Sequence, residues 1–170
     1  MNEKVVVEVS GIRLEDNSET PIMLLQDPKT YRFLPIWIGT IEAVSIAYAQ
    51  EGFVHPRPQT HDLLIDIVES LNATISEVCI TDIQDKTYFA EITLNTLEGN
   101  VTLSSRPSDA IALAIRSNSK ITVDNELFNK NSIILIEENN EQFNNLRILL
   151  MVFLPRIFPK SLINCLYLVD

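Results

Sequence analysis

GTIEAVSIA at residues 39–47 and RPSDAIALA at residues 106–114 carry the same pattern. With position 39 laid on 106, Glu42 falls on Asp109, Ala43 on Ala110, Val44 on Ile111, Ile46 on Leu113 and Ala47 on Ala114. Both stretches repeat apolar side chains at helical spacing. Both carry an acid in the first turn, where a negative charge suits the helix dipole. At the same offset IMLLQ (22–26) lies on FAEIT (89–93), and the first strands match once the earlier loop is allowed four extra residues. Strand, strand and helix therefore agree together. The reading is an α+β fold of duplicated β-β-β-α units, about 4–51 and 74–118, forming a mixed sheet core with packed helices. One such unit leaves a sheet face and a helix stripe uncovered, and a second unit can cover both through a shared core.

The neighbouring segments follow from the same rules. KVVVEVSGI (4–12), PIMLLQ (21–26) and YRFLPIWI (31–38) read as strands. Pro35 removes a ladder donor, so the third strand belongs at an edge or carries a bulge. Thr40 is placed to cap a helix over 41–50, with Ile41, Val44, Ala47 and Tyr48 on its apolar face. Pro56 and Pro58 stiffen the loop over 52–59. Thr60 is placed to cap the next helix, in which Leu63, Leu64, Ile67, Val68 and Leu71 form a stripe. Strands are predicted over 74–83, 88–95 and 98–105, with a turn at Asp85-Lys86. Pro107-Ser108 opens a helix over 109–117. A short strand at 121–123, a short helix or turns over 124–132 and an apolar run at 133–136 complete the pattern.

Composition narrows the function classes. The two cysteines, Cys79 and Cys165, have no CxxC spacing and read as reduced, buried thiols. The N-terminus lacks the features of a signal peptide. The apolar run Ile148–Leu154 is seven residues long, whereas a membrane span needs about 20. The chain reads as cytoplasmic, with no membrane segment. Its net charge of −10 opposes nonspecific nucleic-acid binding, so a nucleic-acid site requires a local basic patch, an oligomer or bound cations. No P-loop, GxGxxG, HExxH or GxSxG pattern is present.

LPIWIGTIEAVSIAYAQEG (34–52), PRPQTHDLL (56–64) and RPSDAIALAIRS (106–117) resemble, in order and spacing, the three signature blocks of the bifunctional nuclease (BFN) family. The resemblance covers about residues 4–140, which sets a BFN-like domain at 1–140. It implies a mixed α/β fold with a β3α duplication, metal-stimulated cleavage of RNA and DNA with little sequence preference, and homodimers. The chain departs from the pattern at its end. Members finish in a polar, acidic segment, but 141–170 is an atypical apolar and basic tail. It is either an interface or the product of a shifted frame near Leu146, and it should pack on the domain or on a partner.

Phosphodiester hydrolysis needs an activated water and positive charge at the phosphate. One candidate group is His55, Arg57, His61 and Asp62, with His61 as general base and Arg57 as phosphate clamp. A second is Arg106, Ser108 and Asp109 at a helix start. His61, Asp62 and Asp109 are the catalytic candidates, and Arg57, Arg106 and Ser108 the substrate-binding ones. Asp62, Asp109 and Glu42 are the candidate ligands for a divalent magnesium or manganese ion. Each group also has a plain structural role as cap, dipole partner or ion pair. Trp37 reads as core or dimer packing rather than base stacking. The alternative function is a noncatalytic oligomeric binding or regulatory module. The enzyme reading requires His61 or Asp62 to converge with Arg106 or Asp109 in one solvent-open cleft.

Overall fold

A computed structural model describes residues 3–14 and 20–135. The tail over 141–170 and Cys165 lie outside the described residues. In chain order the elements are β1 (Lys4–Val6), β2 (Glu8–Leu14), β3 (Pro21–Gln26), β4 (Phe33–Trp37), α1 (Thr40–Gln50), α2 (Thr60–Ser70), β5 (Thr74–Gln84), β6 (Thr87–Thr96), β7 (Gly99–Ser105), α3 (Pro107–Ser117), β8 (Lys120–Asp124) and α4 (Asn125–Asn131). The class is α+β. One sheet has the order β1-β8-β5-β6-β7 and the other β2-β3-β4. All pairings are antiparallel except β5 with β8. Each half thus runs as three antiparallel strands followed by a helix, α1 or α3, with α2 between the halves.

The strand predicted over 4–12 is two strands. Val7 is buried, and its N–H donates to the Ile121 carbonyl at 3.1 Å. The chain there leaves the five-stranded sheet and enters the three-stranded one. A β-branched run favours extended backbone but does not choose its partner. Pro35 sits in β4, at the edge of its sheet, where a missing donor costs least.

Neither threonine caps its helix. Thr40 and Thr60 are the first helical residues. The caps are Gly39 and Gln59, and Gln59 forms a reciprocal capping box with Asp62. The buried face of α1 is Ala43, Ile46 and Ala47, whereas Ile41 is 83% exposed. α3 connects the edge strand β7 to β8 and packs on β5, β6, β8, α1 and α2. Its buried run Ala110 to Ala114 includes three alanines. These small side chains, with Ala43 and Ala47 of α1, let the two helices approach closely. Asn118 ends α3 in the left-handed conformation, φ 52°.

The α2 stripe is present but uncovered. No residue of α2 is buried, and Leu63, Leu64, Ile67 and Leu71 are all exposed. Cys79 is buried, and desolvation pushes its thiol pKa up. Among the described residues no helix is long and apolar enough to cross a membrane.

Candidate functional site

Helices α1, α2 and α3 are stitched together by one chain of polar contacts. Arg116 Nε donates to Asp62 Oδ1 at 2.6 Å. Its Nη2 donates to Ser45 Oγ at 3.3 Å and to the Ser45 carbonyl at 3.2 Å. Ser45 Oγ lies 3.0 Å from His61 Nδ1, and His61 Nε2 lies 3.3 Å from Asp109 Oδ1. Arg106 donates to both Asp109 oxygens, at 2.7 and 2.9 Å, and to Glu42 Oε1 at 2.9 Å. Because Arg116 donates to Ser45 Oγ, the hydroxyl proton is free to donate to His61 Nδ1. The Nε2–H then donates to Asp109.

Electrostatics follow from this wiring. Burial opposes ionisation of Asp109, but hydrogen bonds from Arg106 and His61 outweigh it and hold the carboxyl below its usual range. Asp62 is likewise lowered: burial is overcome by Arg116 and by the Gln59 N–H. The guanidinium of Arg106 is held charged by Asp109 first and Glu42 second. Its side chain is 64% exposed, and part of its N–H fork is left for a ligand.

His61, Asp109, Arg106 and Glu42 line one groove of about 640 Å³, together with Ser45, Leu64, Val68, Ile92 and Leu103. The groove lies between α2 and the β5-β6-β7 face. The other predicted residues lie elsewhere. Asp62 has both oxygens engaged, by Arg116 and by the Gln59 N–H at 2.8 Å. It lines a different cavity with His55 and Pro58. His55 packs edge-on against Tyr48 and Phe53, with ring centroids 4.9 and 4.8 Å away. Arg57 is exposed and makes no ion pair with any described residue. Ser108 lies beyond Arg106 and lines another cleft. Trp37 is half-exposed rather than part of the core.

Ser45 and Arg116 were absent from the sequence reading. Helical spacing carried the signal. Ser45 stands three positions after Glu42, and Arg116 seven after Asp109, so each shares a face with a candidate already chosen.

The two acids expected to share a divalent ion, Glu42 and Asp109, share the Arg106 guanidinium instead. Among the described residues no three His, Cys, Asp or Glu side chains converge as a metal-binding group. Arg106 takes both Asp109 oxygens and Glu42 Oε1, so as arranged these two carboxylates leave Glu42 Oε2 alone for a divalent ion, too few donors to fit one.

A helix-braced polar cluster at the head of an apolar groove, carried on an α+β domain, defines the class of protein. The sequence profile of the bifunctional nuclease domain matches residues 23–135, and the chain belongs to that family. An uncharacterized protein of Mycobacterium tuberculosis, Rv1829, is 38% identical over 136 residues, covering 80% of this chain and 81% of that protein. Bifunctional nuclease 1 of Oryza sativa subsp. indica is 23% identical over 130 residues, covering 74% of this chain and 39% of the rice protein.

Proposed function

We propose that the protein is a hydrolase that cleaves phosphodiester bonds of RNA and DNA with little sequence preference. The observation that carries this reading is the convergence of His61, Asp109 and Arg106 at one solvent-open groove. Arg106 offers its remaining N–H groups to a phosphate oxygen and stabilises the charge that builds there during attack. Asp109 orients the His61 ring and stabilises the imidazolium formed when Nδ1 takes a proton. The hydroxyl nearest Nδ1 is Ser45, which also lines the groove. It passes its own proton to His61 while accepting one from the attacking water.

A second reading, the noncatalytic module, is favoured by one specific observation. Both ring nitrogens of His61 and both oxygens of Asp109 are engaged within the protein. In that reading the chain of contacts is a brace. Incubation of purified protein with single-stranded RNA or DNA, with magnesium or manganese added as the family resemblance implies, separates the two. Cleavage that falls about 100-fold to 10,000-fold in a His61→Ala/Asp109→Ala variant supports the hydrolase. Undiminished cleavage by the variant overturns the site, and an inert wild type supports the module.

We infer further that the exposed outer part of the α2 stripe, Leu63, Ile67 and Leu71, which does not line the groove, is covered by a second copy of the chain. An Ile67→Glu variant should then sediment as a monomer where the wild type sediments as a dimer.

A further inference from the structure

A second cleft, of about 410 Å³, opens on the other side of Arg106 from the groove. It lies where the starts of α1 and α3 meet the β5–β6 turn, and it is lined by Trp37, Gly39, Glu42, Lys86, Tyr88, Arg106 and Ser108, among others. Four features set it apart from an accidental surface dent.

Ser108 is only 7% exposed, yet its hydroxyl makes no hydrogen bond to any described residue. Its Oγ is open to the cleft, where it can donate to a ligand oxygen. Trp37 is 52% exposed at the end of β4, so a ring face is on offer to a planar group. Lys86 is exposed and unpaired among the described residues. Lys86 also occupies φ +64° in a two-residue turn between Gln84 and Thr87. Glycine is preferred at that position, so the lysine sits there against backbone preference.

The charges in the cleft are Lys86 and Arg106 against one carboxylate, Glu42, which Arg106 already pairs. Arg106 is also paired by Asp109, so Lys86 is the cation of the cleft left without a carboxylate partner among the described residues. Burial raises the pKa of the Tyr88 phenol, keeping it a neutral donor.

We propose that this cleft binds one nucleotide unit of a single-stranded substrate, the base against Trp37 and the phosphate on Lys86 and the Ser108 hydroxyl. Aromatic stacking combined with cationic contacts accepts any base, because every base presents a π face. Arg106 and Glu42 line both cavities, so a strand seated here runs past Arg106 towards His61. This rests on the hydrolase reading for the identity of the strand as substrate, but the binding itself does not depend on turnover.

Trp37 is the one tryptophan in the chain, so its fluorescence reports this cleft directly. The full-length protein is titrated with a short oligoadenylate, with AMP and with ribose 5-phosphate. The expected result is quenching by oligoadenylate at lower concentration than by AMP, and none by ribose 5-phosphate. Lys86→Gly restores the preferred turn residue and should melt no lower than the wild type. It should weaken the oligoadenylate affinity by on the order of tenfold, the loss of one charge-assisted contact.

Several outcomes overturn the proposal: no quenching by oligoadenylate, equal quenching by ribose 5-phosphate, AMP binding at least as tightly as the strand, or Lys86→Gly without effect. If quenching fails while RNA is still cleaved in a His61-dependent way, the cleft is wrong and the hydrolase stands. If quenching succeeds while no cleavage occurs, the cleft stands and the hydrolase falls.

Discussion

The two strand-strand-strand-helix halves differ most where they look most alike, at their helices. α3 is enclosed from Pro107 to Ala114, apart from Asp109, which faces the groove. α1 buries only Ala43, Ile46 and Ala47. The openings also differ. α3 begins after Arg106 with Pro107 as its first helical residue, and α1 begins after Gly39. At matched positions Arg106 stands against Gly39, and Ala112 against Ser45. One half therefore supplies the cation, the other supplies the hydroxyl, and α2, which has no counterpart, supplies the imidazole. A Cβ on residue 39 would collide with Glu42 Oε2. The bare glycine is what allows Glu42 to fold back over the helix start as it reaches towards Arg106. The starts of α1 and α3 meet at Arg106, and the differences between the two helices make that junction a candidate site.

The sharpest way to break this comparison is to truncate one isoleucine on each helix. Ile111→Ala, at a position with no exposure, should cost about 2–5 kcal/mol. Ile41→Ala, at 83% exposure, should stay within about 0.5 kcal/mol. Urea unfolding measures both, and equal costs would mean that the two helices are equally enclosed.

Next in size is the opening itself. Arg106→Gly makes the second helix start like the first and should lower phosphodiester cleavage by about 100-fold to 1,000-fold, as for loss of a transition-state donor. Arg106→Lys should recover little of it, because a lysine cannot fork between Glu42 and Asp109. Unchanged rates would show the two openings to be equivalent.

A smaller effect concerns acid. Asp62 and Asp109 both have folded pKa values below their ordinary 3.8. Their contribution to stability is complete above that value and is lost as pH falls through the lowered folded values. Asp62→Asn should therefore melt lower than the wild type at neutral pH, with the gap closing in strong acid. A gap that persists at low pH would assign the loss to packing. Smallest is Gly39→Ala, which should displace Glu42 and cost no more than about 1 kcal/mol, read by thermal melting.

Much of the architecture was legible in the chain. Alternation and β-branching located the strands, and apolar spacing located α1, α2 and α3. Helix starts were misplaced by one residue at Thr40 and Thr60, because the chain uses Gly39 and a Gln59–Asp62 box in place of a threonine cap. In the site, His61, Arg106 and Asp109 were legible as polar groups at helix starts. Asp62 was read into the same site, yet consecutive helix residues point about 100° apart. It faces Arg116 while its neighbour faces the groove. Ser45 was passed over because a serine inside a helix carries no chemical signal until a histidine from another helix reaches it.

Periodicity and local propensity determined that this chain makes strands, helices and charged helix starts in this order, because those preferences act over a few neighbouring residues. The tertiary structure alone decided that β1 leaves its neighbour for β8, that a guanidinium lies between the two acids, and that Trp37 lines an open cleft. Those outcomes depend on contacts between residues tens of positions apart, whose energies no local pattern encodes.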